Sequence, residues 1–270
     1  MEILEKIINK KKSEIANNKA LKPIALLEQS IFFDSACISL TCYIKRADKS
    51  GIIAEFKRKS PSKPEINLYA DVESVSIGYM QAGASALSVL TDESFFGGMN
   101  ADLRIARKFN FCPILRKDFI IDEYQIIEAK SIGADAILLI AECLEKEQLA
   151  QLAKTANSLG LEVLMELHSA DQLDKVNQYV NAVGVNNRNL KTFQTDIQTS
   201  LDIVDNIPSE FCKISESGMN DPLKVVELKQ AGFEGFLIGE HFMHNANPGK
   251  ACSLFIEQIN RYLKPKEVQA

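Results

Sequence analysis

Ile52-Ile53-Ala54-Glu55-Phe56-Lys57 is an apolar run that ends in charge, and five further segments repeat the arrangement. They are Pro113-Ile114-Leu115-Arg116-Lys117, Glu162-Val163-Leu164-Met165-Glu166, Ala182-Val183-Gly184-Val185-Asn186-Asn187-Arg188, Lys213-Ile214-Ser215-Glu216-Ser217 and Gly235-Phe236-Leu237-Ile238-Gly239. Strand side chains alternate between faces, so residues two apart share one. Glu55 therefore pairs with Lys57, Asn186 with Arg188, and Lys117 with Leu115. Glu162, Leu164 and Glu166 also share a face, with Glu162 expected at the closed bottom and Glu166 at the open top. Polar groups collected at strand C-termini mark a parallel α/β enzyme.

Working outward, strand and helix alternate from Gly51 onward. Predicted strands at 52–56, 86–90, 113–116, 136–140, 162–165, 182–185, 213–215 and 235–238 precede predicted helices at 71–82, 100–108, 123–132, 145–159, 170–176, 197–204, 221–231 and 248–263. Gly133, Gly160 and Gly232 follow helices, as C-terminal glycines do, and Asp71 and Asp221 stand where N-caps stand. Eight parallel units favour a closed barrel over an open sheet, because closure removes the edges. Residues 1–50 read as a helical extension. Leu4, Ile7, Ile8 and Ile15 fit one face of a first helix, and a second helix is predicted from Ser35 to Arg46. The chain reads as a single domain, with units over 51–263 and a tail at 264–270.

The 270 residues are 46% hydrophobic and 25% charged, with a net charge of −5, and this excludes the basic footprint of a nucleic-acid binder. The run Lys10-Lys11-Lys12 reads as a solvated helix face. Six scattered cysteines without a CxxC pair read as reduced core thiols, and no disulfide framework or zinc site is expected. His168, His241 and His244 lack metal-ligand spacing and read as structural or surface residues; no metal is expected. The amphipathic start lacks a signal peptide's apolar region, and the run Ala136–Ala141 is far too short to span a membrane. A cytosolic protein without membrane partners is expected.

Several groups could carry chemistry. Glu55 and Lys57 extend an apolar strand and can form an ion pair that aims the ammonium, whereas Arg58, Lys59 and Lys63 read as a charged surface loop. Lys117 could donate a proton, stabilise an oxyanion or form a Schiff base, or could simply bridge to Asp118 or Glu166. Glu166, in a partly desolvated mouth, suits general acid–base work. Arg188 could fork onto a carboxylate or phosphate. The turns Ser215-Glu216-Ser217-Gly218 and Leu237-Ile238-Gly239-Glu240 follow the seventh and eighth strands, where barrels bind phosphate through backbone N–H groups.

These motifs resemble those of indole-3-glycerol phosphate synthase. The resemblance rests on Glu55-Phe56-Lys57-Arg58-Lys59-Ser60-Pro61-Ser62-Lys63, Ser88–Glu93, Leu115–Phe119, Asn186–Leu190 and Ser215–Gly218, and it covers roughly residues 1–262. It implies a (β/α)8 TIM barrel with an N-terminal helical extension, acting in tryptophan biosynthesis. The implied reaction closes an indole ring from 1-(2-carboxyphenylamino)-1-deoxyribulose 5-phosphate, with loss of carbon dioxide and water and with no cofactor. By that likeness Lys117 is the acid at the ketone oxygen, Glu166 serves dehydration, and Glu55 and Lys57 are catalytic or orienting. Ser60, Asn186 and Arg188 would hold the carboxylate or sugar hydroxyls. Ser217, Gly218, Gly239 and Glu240 would lie at the phosphate, Glu240 through its backbone, and Leu237 would also bind substrate. Pro61 and Phe119 would pack near the aromatic ring. The implied partner is a small phosphorylated molecule, and the protein is expected to act as a monomer.

One departure is Pro64, where the family usually has glycine; it bears on loop closure, not on chemistry. Phosphoribosylanthranilate isomerase would carry a cysteine on strand 1 and an aspartate on strand 6, unlike this chain. The tryptophan synthase α subunit would carry a glutamate within strand 2, where this chain has Ser-Val-Leu. A non-catalytic phosphosugar-binding barrel would have no need of both Lys117 and Glu166.

Overall fold

The computed structural model describes residues 3–264. The chain opens with α1 (Ile3–Leu21), α2 (Ile24–Leu27) and α3 (Leu40–Lys45). It continues as β1 (Ile52–Phe56), α4 (Val72–Gln81), β2 (Ala86–Leu90), α5 (Glu93–Phe96), α6 (Asn100–Phe109), β3 (Ile114–Lys117) and α7 (Glu123–Ser131). Then follow β4 (Ala136–Ile140), α8 (Lys146–Ser158), β5 (Glu162–Leu167), β6 (Ala182–Asn186) and α9 (Gln198–Ile203). The last elements are β7 (Cys212–Glu216), α10 (Pro222–Gln230), β8 (Gly235–Ile238), α11 (Glu240–Met243) and α12 (Pro248–Leu263). All strand pairings are parallel, and β8 closes onto β1 to form an eight-stranded barrel, as the strand count predicts. Of the expected tail, residues 265–270 lie outside the described residues, as do Met1 and Glu2 at the start of the first predicted helix.

Strand parity sorts the apolar residues into two cores. Ile53, Leu115, Leu138, Leu164, Ile214 and Leu237 fill the barrel interior. Their strand neighbours, such as Ile52, Ile114, Leu139, Val163 and Phe236, pack outward against the helices. The N-terminal extension works at both ends of the barrel. Leu40 and Ile44 of α3 join the interior cluster, so α3 plugs the bottom. Glu162 fastens it by accepting hydrogen bonds from Thr41 N (2.9 Å) and Thr41 Oγ1 (3.1 Å), and another from Ser39 Oγ. The bottom position expected for Glu162 is where it lies. At the other end α1 lies against the mouth, with Ile15 packed on Leu27 and Tyr124.

Three local expectations change. The predicted helix from Ser35 shortens to Leu40–Lys45, because Ser39 serves as its N-cap and Ile38 N is drawn to Asp135 Oδ1 (2.8 Å). The stretch Ala170–Lys175 is a 3-10 helix rather than an α-helix. Lys11 is not solvated. It is 1% exposed, and its ammonium lies 3.0 Å from Asp92, 2.9 Å from Asp118 and 3.1 Å from Glu14.

Candidate active site

Parity aims Glu55, Lys117, Glu166, Asn186 and Glu216 at the barrel axis, since each lies two residues beyond an interior apolar or small residue on its strand. At the axis they meet. Lys117 Nζ donates to Glu166 Oε2 (2.7 Å) and to Glu216 Oε2 (2.9 Å). Asn186 Nδ2 donates to Glu166 Oε1 (3.0 Å), and Lys57 Nζ lies 2.8 Å from Glu55 Oε1. The crowding requires two glycines. A Cβ at Gly239 would sit 2.5 Å from Glu55 Oε1, and one at Gly184 would collide with Glu216 Oε1.

One cation between two buried carboxylates sets their titration. Burial works against the charge on Lys117, but Glu166 and Glu216 outweigh it, so its pKa lies above the ordinary lysine value. Burial also works against Glu166, yet Lys117, His168 and Asn186 hold its pKa below the ordinary carboxylate range. Burial pushes Glu216 upward, and the negative charge of Glu166 adds to the push. Two like carboxylates on one ammonium thus divide into an ionised member and one that keeps its proton more readily.

These groups open into a cavity of about 410 Å³. All fourteen residues singled out in the sequence line it: Glu55, Lys57, Ser60, Pro61, Lys117, Phe119, Glu166, Asn186, Arg188, Ser217, Gly218, Leu237, Gly239 and Glu240. On one side Phe96 and Phe119 stand with ring centroids 5.9 Å apart. On the other, Ser217 and Gly218 both have positive φ, +67° and +78°, which turns the backbone sharply after β7. A positive φ is uncommon for serine and is a strain typically held at functional sites. Arg188 accepts direction from two groups, donating to Phe193 O (3.2 Å) and Glu240 Oε2 (3.3 Å).

Some expectations need correction. Lys63 is tied to the site, 2.6 Å from Glu240 Oε1, and Arg58 is clamped bidentately on Asp102. Lys59 donates to Ser94 O (2.9 Å). Lys117 bridges to Glu166, but not to Asp118, which leaves β3 on the opposite face and joins Arg116 and Lys11. The three histidines, taken as structural or surface residues, all line the cavity, and His168 Nε2 lies 3.6 Å from Glu166 Oε1. Pro64 is exposed, just after the turn in which Ser60 and Lys63 bond each other's main chain. Sequence reading passed over Glu216 as a reactive group. The same parity rule exposes it, since it shares a face with Ile214 and Cys212.

A closed (β/α)8 barrel with a lysine–carboxylate cluster at its strand C-termini has the architecture of a barrel enzyme, whose active site lies at that end. A family model described as indole-3-glycerol phosphate synthase matches residues 4–255. A protein of that name from Bacteroides thetaiotaomicron is 48% identical over 258 residues, covering 96% of this chain and 99% of the relative. Another from Magnetococcus marinus is 41% identical over 260 residues, covering 94% and 97%. A solved structure, a thiamine phosphate pyrophosphorylase from Pyrococcus furiosus, superposes with a TM-score of 0.60 at 14% identity, covering 84% of this chain and all of its own, and attests the barrel alone. The chain belongs to the indole-3-glycerol phosphate synthase family. Members bearing that name are carboxy-lyases of tryptophan biosynthesis.

Proposed function

We propose that this cavity converts 1-(2-carboxyphenylamino)-1-deoxyribulose 5-phosphate into indole-3-glycerol phosphate, with Lys117 and Glu166 as its acid–base pair. The observation that carries the assignment is the Lys117 ammonium, half-buried at the axis and hydrogen-bonded to the buried carboxylates of Glu166 and Glu216. The ring carbon bearing the carboxylate attacks the ketone carbon, and negative charge grows on the ketone oxygen. A protonated lysine there supplies both the charge and the proton. The carbon–carboxylate bond then breaks, and its electron pair restores the aromatic ring. Loss of the new hydroxyl as water needs an acid and a base on the two sides of one carbon. Lys117, from β3, is assigned the acid's part and Glu166, from β5, the base's, once substrate has parted their hydrogen bond. Because a carboxylate leaves as neutral carbon dioxide, each turnover takes up one proton.

Ser60, Asn186 and Arg188 are assigned to the carboxylate and sugar hydroxyls, with Glu55 and Lys57 as an orienting ion pair. Pro61 and Phe119 are assigned to the aromatic ring. Ser217, Gly218, Gly239 and Glu240 are assigned to the phosphate, and Leu237 to substrate binding. Glu240 would act through its backbone, since its side chain is engaged by Lys63 and Arg188. The same reading carries the expectation of a cytosolic enzyme that works as a monomer and without a cofactor.

The chain contains no tryptophan, so a fluorescent indole product would rise from a dark background. Purified protein given the substrate should generate indole fluorescence and release one carbon dioxide per product. Substrate left unchanged would defeat the assignment.

A further inference from the structure

Lys11 is the one lysine of its run turned inward, and its surroundings join three separate pieces of the mouth. Its ammonium contacts Asp92 Oδ2 at 3.0 Å and Asp118 Oδ1 at 2.9 Å. Asp92 uses its other oxygen to cap α5, accepting from Phe95 N (2.7 Å) and Phe96 N (3.3 Å). Asp118 Oδ1 also accepts from Phe119 N (2.8 Å), while Oδ2 accepts from Thr91 Oγ1 (2.5 Å). One cation therefore touches both carboxylates that fix the main chain at Phe96 and Phe119. On its own helix, Ile7 stands one turn away on the same face, and Leu4 one turn beyond that. Ile7, Leu4, Phe96 and Phe119 all line the catalytic cavity. Burial works against the Lys11 charge, but Asp118, Asp92 and Glu14 hold the ammonium protonated, above the ordinary lysine range. Removing one partner of such a buried set leaves charge uncompensated, so the three pieces hold together or loosen together.

We propose that Lys11 is a positioning residue for the aromatic-ring half of the substrate site: its ammonium locks α1, the loop after β2 and the end of β3 into one apolar wall against which the flat anthranilate ring packs. This rests on the activity proposed above. The phosphate end of the cavity, built from the loops after β7 and β8, is independent of the lock.

The test measures binding rather than turnover. Anthranilate and inorganic phosphate are titrated separately, by calorimetry or ligand-observed NMR, into wild type, Lys11→Met and Lys11→Arg. The expected result for Lys11→Met is anthranilate bound about tenfold more weakly, the scale of well-placed aromatic contacts, with phosphate affinity unchanged. Lys11→Arg, which keeps the charge, should recover part of the loss. In turnover assays the KM of Lys11→Met should rise by about the same factor, with kcat within about threefold. Anthranilate affinity equal in wild type and Lys11→Met, or no anthranilate binding by a wild type that binds phosphate, would overturn the proposal. So would equal loss of both ligands, which marks a merely structural role. If Lys11→Met does not fold, Asp92→Asn keeps the cation and loosens one link. It should weaken anthranilate alone, by less, and an unchanged affinity there overturns the proposal equally. A wild type that binds anthranilate in this way but makes no indole product would overturn the proposed activity instead.

Discussion

Glu162 and Glu166 lie on one strand and one face, with Leu164 between them, and serve opposite ends of the barrel. Glu162, at the bottom, is surrounded by neutral donors, the Thr41 main chain and the Ser39 and Thr41 hydroxyls, and every bond it makes fastens the plug helix α3. Glu166, at the mouth, faces a lysine, an amide and a histidine across a cavity. Residue type and strand face are the same in both. What separates them is the strand end, and with it the neighbours: neutral donors at the bottom, and at the mouth a cation and a second carboxylate, the setting the proposed acid–base role requires.

The sharpest way to break this contrast is to neutralise each carboxylate in turn. Glu166→Gln should lower kcat by at least ~10²-fold, the scale of acid–base catalysis, with the melting temperature nearly kept. Glu162→Gln should do the reverse. It loses charge-assisted bonds worth roughly 1.5–3 kcal/mol and melts earlier, while kcat stays near wild type. Equal losses of kcat in the two variants would show that the two ends are not separable.

Arg188→Ala tests the proposed division of the mouth between binding and chemistry. Losing a charge-assisted hydrogen bond to an anionic substrate group should raise KM by about one to two powers of ten and leave kcat close to wild type. An effect confined to kcat would move Arg188 from binding to the transition state.

Much of this was legible in the sequence, for physical reasons that differ from element to element. The bounds of β1, β2 and β8 follow from apolar runs bracketed by polar residues or glycine, and they and the bounds of β4 are as predicted. The four-residue helices α5 and α11 were not legible, because a single turn has too few residues to show a period. Asp92 and Gly239 shape them, the first as a cap and the second as a close approach to Glu55. Lys11 was misread because its partners come from β2 and β3, far along the chain, and nothing in a run of three lysines tells which one turns inward. Glu216 was readable by parity but sat inside a turn motif that drew attention to its neighbours Ser217 and Gly218. The fourteen site residues converge because the strand-end rule is geometric and needs no knowledge of packing.

Glu216→Gln probes the mouth through the pH dependence of stability. The native state holds the Glu216 proton more tightly than the unfolded chain does, because burial and then Glu166 raise its pKa. Between the ordinary carboxylate range and that raised value the native state binds more protons, so stability falls as pH rises. The fall amounts to roughly 1.4 kcal/mol for each unit by which the native value is raised. Glutamine cannot titrate, so the variant should lose less stability than wild type between about pH 5 and about pH 8. Parallel pH–melting curves for the two proteins would contradict the shared-cation picture.

The central claim is that the Lys117 ammonium at the barrel axis is the acid of an indole-forming reaction, and Lys117→Ala tests it most directly. Wild type and variant are given the carboxyphenylamino-deoxyribulose phosphate and followed by indole fluorescence, with substrate binding measured by calorimetry. The account predicts that the variant still binds substrate while its kcat falls by at least ~10²-fold. Wild-type turnover in Lys117→Ala would contradict it.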